Sequence, residues 1–281
     1  MYNLRYHIAS LVAVFLSLTI GLLLGTIVAE RGTLDAQRET LVASLERDFA
    51  TLGERNAALS AENETRSEFV GAVLPALVAG RLEGQRILVL ANAGRADGFG
   101  ATEEAVRQAG GIPFTLRLER PGMGLDDPAV TGALKKLAGS DEEIPERSVV
   151  ASLAAEWTTP GERPLTEALR QAGVIGGDEL PSDVAFLAVV VLSSWNGSPD
   201  GIALDVASLM RERGARGAGI EALGQSTGVA AAAVDNGLSA VDHMGIPEGA
   251  YSLVYILAGE AQGYFGTGPT AAGAFPRLAQ P

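Results

Sequence analysis

The chain has 281 residues, a net charge of −13 and no cysteine. Without cysteine there are no disulfide staples, no thiolate-bound zinc and no thiol nucleophile. With a pI of about 4.6 and Lys135 and Lys136 as the only lysines, there is no basic patch to neutralise phosphates, so nucleic acid is excluded as a partner.

Ile8–Val28 is an uninterrupted uncharged run. As a helix it would be about 32 Å long, against a hydrocarbon core of roughly 30 Å. Residues 8–28 are therefore expected to be a transmembrane helix. The run is longer than the apolar region of a secretory signal, and the small-x-small cleavage pattern near Ile27 to Ala29 is weak, so it reads as an uncleaved anchor. Ala9, Ala13, Ser17, Gly21 and Gly25 recur every fourth position and share one face, the spacing that lets two helices pair closely in lipid. Arg5 and the terminal amine place residues 1–7 in the cytoplasm and everything after Glu30 outside it.

Residues 30–74 hold no proline and read as a coiled-coil stalk of about 60 Å. Its candidate seam is Leu34, Leu41, Leu45, Leu52 and Leu59, interrupted by Arg38, Asp48 and Arg55 where further seam residues are expected. Asn56 and Asn63 suit register-setting positions and equally suit a solvated surface. Pro75 is expected to end or kink the helix.

Residues 84–260 alternate strand and helix signals. Strands are expected at Arg86–Ala91, Ile112–Leu118, Val184–Leu192 and Gly217–Leu223. Helices are expected at Ala101–Gly111, 128–137, 165–173, 202–213 and 251–257, with a loose acidic stretch from Ser140 to Pro164. The nine apolar residues from Val184 suit a strand buried on both faces. This alternation predicts an α/β domain, Rossmann-like and three-layered with a mostly parallel sheet, outside the cytoplasm. Residues 261–281 read as a C-terminal tail. The two hundred or so residues beyond the stalk are ample for one core.

Several short motifs bear on chemistry. Gly224-Gln225-Ser226-Thr227-Gly228 has the G-x-S-x-G form of a nucleophile elbow. A triad also needs a histidine, and the chain has only His7 and His243. His243 follows Ser226 closely and sits beside Asp242, so a plain glycine-flanked turn is favoured over a serine hydrolase. The loop Asn92–Gly100 leads into a helix N-terminus, but its spacing is neither G-x-G-x-x-G nor a Walker loop. Ser193–Gly197 follows a strand on the side where α/β sheets bind ligands, and Trp195 there suits either a binding surface or a core cap. Asn63-Glu64-Thr65 and Asn196-Gly197-Ser198 match the glycosylation sequon, a pattern that arises often by chance. His243 and Met244 place an imidazole beside a thioether, both Cu(I) donors, against the alternative of a polar loop residue next to a packed methionine.

Three blocks carry a resemblance: Leu4-Arg5-Tyr6-His7-Ile8-Ala9-Ser10-Leu11-Val12-Ala13-Val14-Phe15-Leu16 with Gly21 to Gly25, LPALVAGRLEGQRILVL from Leu74 to Leu90, and SAVDHMGIPEGAYSLVYIL with GYFGTG between Ser239 and Gly268. In this order they resemble the mycobacterial copper transport protein B (MctB) family. The resemblance implies an actinobacterial envelope protein of copper tolerance and efflux, described as an outer-membrane channel. It also implies a role in cell division, in which the protein joins a second membrane protein and influences a peptidoglycan hydrolase at the septum. The residues themselves predict no barrel, because aromatics are 5% of the chain and the strands read as buried and parallel. One membrane helix encloses no pore unless several chains assemble, and there is no Met or Cys ladder to pass copper along. The expectation is therefore a single-pass cell-membrane protein that is not an enzyme and has no cofactor, copper being the sole candidate ligand. Its expected partners are the lipid bilayer, a second copy of itself and an envelope or membrane protein.

Overall fold

In the computed structural model, Leu4–Val78 forms one helix, α1. The structure describes residues 4–94 and 97–277, with side chains left out at 4–5 and 28–40. The chain divides into two units, Met1–Arg66 and Ser67–Pro281.

In the first unit, Tyr6–Ile27 is long and apolar enough to cross a membrane, by length and composition. None of its side chains is covered by the rest of the chain. Its hydroxyls are satisfied within the helix: Ser17 donates to the Val14 carbonyl (2.9 Å), Thr19 to Phe15 (2.6 Å) and Thr26 to Leu23 (3.0 Å). A hydrocarbon surrounding would require that arrangement, since it offers polar groups no partner. The small-residue face is open, with nothing within 4 Å of where a Cβ would stand on Gly21 or Gly25. Leu41, Leu45, Leu52 and Leu59 are exposed, as are Val42 and Phe49. The side chain of Leu34 lies outside the described residues.

Pro75 does not end α1, which runs on to Val78. Proline removes one intrahelical hydrogen bond, to the carbonyl four residues earlier. Burial of Leu74 and Val78, with Leu82 just beyond, outweighs that loss. The helix stops where Gly80 takes a left-handed φ of 71°.

The second unit is mixed α/β. In chain order its elements are β1 (Arg86–Asn92), α2 (Phe99–Gln108), β2 (Ile112–Leu118), α3 (Pro128–Ala138), α4 (Glu146–Thr158), α5 (Pro164–Gln171), β3 (Ile175–Gly177) and β4 (Ala188–Val191). Then come β5 (Ser194–Trp195), β6 (Ser198–Pro199), α6 (Gly201–Glu212), β7 (Arg216–Ala222), α7 (Val229–Asp235), β8 (Ser239–Met244), α8 (Pro247–Ala258) and β9 (Tyr264–Phe265). The seven-stranded sheet has the order β3-β2-β1-β4-β7-β8-β9, parallel except for β3. The direction of winding therefore reverses between β1 and β4.

Strand alternation sorts the core into two faces. Leu88 and Leu90 of β1 lie with Val189 and Val191 of β4 in a cluster covered by residues of α3 to α7. Ile87 and Val89 lie with Ala188 and Val190 in a second cluster, covered by α2, α8 and the last turns of α1. Each fully buried Leu, Val or Ile here contributes roughly 1.5–3 kcal/mol.

Three expectations need correction. The stretch 140–164 is not loose, because it contains α4, which buries Val149, Val150, Leu153, Ala154 and Trp157 at helical spacing. The strand expected over Val184–Leu192 is paired only at Ala188–Val191. Its earlier backbone is engaged otherwise, with the Phe186 amide donating to the Trp157 carbonyl and Arg163 donating to the carbonyls of Leu180, Pro181 and Val184. Finally, the domain reaches past residues 84–260 at both ends, taking in Leu74 and Val78 before and β9 after.

Candidate functional site

The most polar part of the buried sheet is the carboxyl end of β7, β8 and β9. Ile220 pairs with Val241 but Ala222 with Met244, so β8 carries one residue more than β7. This bulge puts Val241 and Met244, three apart, into the same apolar cluster. Asp242 and His243 are the residues inside it, and bulges commonly re-aim side chains in this way.

Asp242 is buried and fully partnered. Its carboxylate accepts from the Tyr264 hydroxyl (2.6 Å) and from the amides of Thr267 (2.8 Å) and Gly268 (2.7 Å). A Cβ on Gly266 would stand 1.6 Å from Asp242 Oδ1, and one on Gly268 would stand 2.1 Å from the Tyr264 oxygen. Only glycine lets the backbone wrap the carboxylate so closely. The Tyr264 hydroxyl pKa is raised, mainly by burial and then by its bond to Asp242. Glu221, at the end of β7, is buried too and accepts from Thr227 Oγ1 (3.1 Å) and the Ala230 amide (3.2 Å). These carboxylates hold loops in place. Sequence reading missed that role of Asp242, although Gly266-Thr267-Gly268 after an aromatic pair was the available signal.

His243 is the opposite case. Its side chain is only 2% exposed, and neither ring nitrogen has a hydrogen-bond partner. Nδ1 lies 3.6 Å from Asp242 Oδ1, beyond hydrogen-bonding range. Burial lowers its pKa, opposed by Asp242, Glu248 and the nearby Ala274 carbonyl, so the ring is held neutral. Gly249 allows α8 to close over it, since a Cβ there would come 2.4 Å from the His243 carbonyl. Met244 is buried in the apolar cluster. Among the described residues no group of three or more His, Asp or Glu is gathered for a metal ion. His243 thus supplies imidazole nitrogens with no group of three His, Asp or Glu gathered around them among the described residues.

The other sequence candidates fall elsewhere. Ser226 is exposed in the loop before α7 and donates no hydrogen bond to His243, whose ring nitrogens are both unpartnered, so no triad forms there. Trp195 is half-buried, and its indole N–H donates to Asp200 (3.1 Å), as does the Ser193 hydroxyl (3.2 Å). Asp200 also caps α6 through the Ile202 amide (3.1 Å). Trp195 packs against the first core cluster and also lines a groove with Pro121, Pro199 and Ile202. His7 lies within α1.

A groove of about 440 Å³ opens elsewhere on the second unit. Val70, Leu74 and Leu77 form one wall, and Tyr251, Phe275 and Pro276 the other. The ring of Phe275 stands edge-on to Tyr251 at 6.3 Å. Glu248 and Arg277 are its charged members.

Neither a curated protein nor a solved structure matches the chain. Residues 1–276 match the family model described as copper transport outer membrane protein, MctB. With that match running from the N-terminal apolar helix through β9, the chain belongs to the MctB family.

Proposed function

We propose that this chain is a non-catalytic envelope protein of copper homeostasis, anchored in the cell membrane by residues 8–28 and working as a parallel dimer. Its second unit is then the extracytoplasmic head. The copper association comes from the family's description. An open sheet with helices on both faces is unlike a lipid-facing barrel, which favours the cell membrane over the outer membrane as its site. The strand order, reversing between β1 and β4, favours a Rossmann-like head.

The observation that carries the dimer is the uncovered apolar stripe of α1. Seam spacing alternates three and four, so the partners of Leu45, Leu52 and Leu59 depend on the direction of reading. Read forward by four, they bring in Phe49, Asn56 and Asn63, with Val42 ahead, instead of Asp48 and Arg55. Val42, Leu45, Phe49, Leu52 and Leu59 are all exposed in the single chain. Asparagine at the same seam position in two successive heptads favours two parallel strands in register. In lipid the face of Ala9, Ala13, Ser17, Gly21 and Gly25 extends the pairing.

Full-length protein in lipid nanodiscs is expected to have the mass of two copies, and a monomer would refute the reading. Copper is cargo here, not a resident cofactor. A competitive Cu(I) titration of the same preparation is expected to show no tight site. Tight binding lost in His243→Ala would instead make the chain a direct copper carrier.

A further inference from the structure

Two features of the second unit are left uncovered by the described residues. One is the side chain of Phe69, 69% exposed. The other is the apolar groove between α1 and the Tyr251–Phe275 pair. We infer that they are the two halves of one self-complementary contact: Phe69 of a second copy seats in the groove of the first, and the reverse. The inference rests on the parallel dimer proposed above and adds where the second copy meets the head.

The seam of three and four spacing continues in sequence past residue 66. After Leu59, Asn63 and Arg66 come Val70, Val73 and Leu77, with Arg66 its one charged member from Val42 onward. In a parallel pair, the residue just before one seam position lies across from the residue five further along its partner's chain, on the opposite flank of the seam, and these flanking pairs set orientation. Here the flanking pairs are Leu41 with Glu46, Asp48 with Gly53, Arg55 with Ser60, Glu62 with Ser67 and Phe69 with Leu74. No pair sets like charges together. Phe69 with Leu74 alone is apolar on both sides, and Leu74 is a wall of the groove.

The packing of α1 against its own head leaves room for this. Leu74 and Val78 turn inward and are buried, and the Cβ position of Gly71 is 3.9 Å from Pro247. Leu77 stays 37% exposed and Phe275 50% exposed. The single acid and single base on the rim leave the groove without a net charge to oppose an apolar occupant. A two-fold axis makes the contact twice, as an isologous interface requires. A centrally buried aromatic in such a contact carries a large share of binding.

A chain without cysteine makes the test clean. Full-length Phe69→Cys and Phe275→Cys chains, carrying different tags, are co-produced in membranes and treated with a short bismaleimide. Arg277→Cys replaces Phe275→Cys if the latter fails to fold. The expected result is a cross-linked heterodimer at several times the yield given by Ala72→Cys in place of Phe69→Cys. Equal yields from the two would be random collision and would overturn the inference. Leu52→Cys alone reports on the dimer itself. If it cross-links while Phe69→Cys with Phe275→Cys does not, the dimer stands and the groove contact falls. If Leu52→Cys also fails, both fall.

Discussion

The two units handle apolar surface in opposite ways. Residues 67–281 bury Trp157, Phe186 and most of their leucines and valines on the two faces of one sheet. The described side chains of residues 1–66 leave Leu22, Phe49, Leu59 and their neighbours open. The second unit has a core of its own. A large continuous apolar stripe has no stable place in water. As proposed, the first unit is completed by something outside the chain, lipid for Tyr6–Ile27 and a second copy for the stripe from Val42. A hydrophobic residue thus means fold stability in one unit and association in the other.

Substitutions can break that contrast. The largest expected effect is Trp157→Ala, which opens a cavity under α4 and removes the indole donor to Thr166 Oγ1 (2.9 Å). It should lower head stability by about 3–5 kcal/mol in thermal or denaturant unfolding. Leu52→Ala should leave head unfolding unchanged while weakening association in lipid. If Leu52→Ala unfolded the head as well, the two-unit division would be wrong.

Adjacent residues of β8 sharpen the comparison within the head. Asp242→Asn keeps the shape but turns an amide NH₂ toward donors, at a cost of about 2 kcal/mol. It should release residues 264–268, seen as faster amide exchange in that segment while α4 stays protected. His243 has a smaller, pH-dependent effect. Its folded pKa is lowered, so the unfolded chain takes up the proton first, near pH 6.5. Stability should be unaffected by this residue above that pH and fall as pH drops below it, by at most about 1.4 kcal/mol per pH unit. His243→Leu should remove that part of the acid slope, and an unchanged slope would mean that His243 is not held neutral.

Periodicity exposed much of the fold before any coordinates. Ile112–Leu118 coincides with β2, and α3, α5 and α6 lie within a residue or two of expectation. Local signals sufficed because each element has one apolar face against the sheet. Where they failed, a distant group had changed the outcome. Arg163 took the Val184 carbonyl and Trp157 the Phe186 amide where β4 was expected to begin, and core packing carried α1 through Pro75. The acidic start of α4 hid a buried face that only its neighbours explain.

The candidate site was legible in composition and not in arrangement. His243 and Met244 stood out as a pair, with Asp242 noted only as a neighbour, but neighbours on a strand do not share surroundings. A bulge, two glycines and Tyr264 gave Asp242 three donors, while α8 closed over His243 and left it none. By itself the sequence determined the membrane-length helix, the α/β alternation and the apolar stripe, because these depend on spacing along one chain. Tertiary structure alone decided which polar groups are satisfied, where the groove opens and which strands are cut short. Those outcomes depend on residues far apart in sequence meeting at hydrogen-bonding or van der Waals distance.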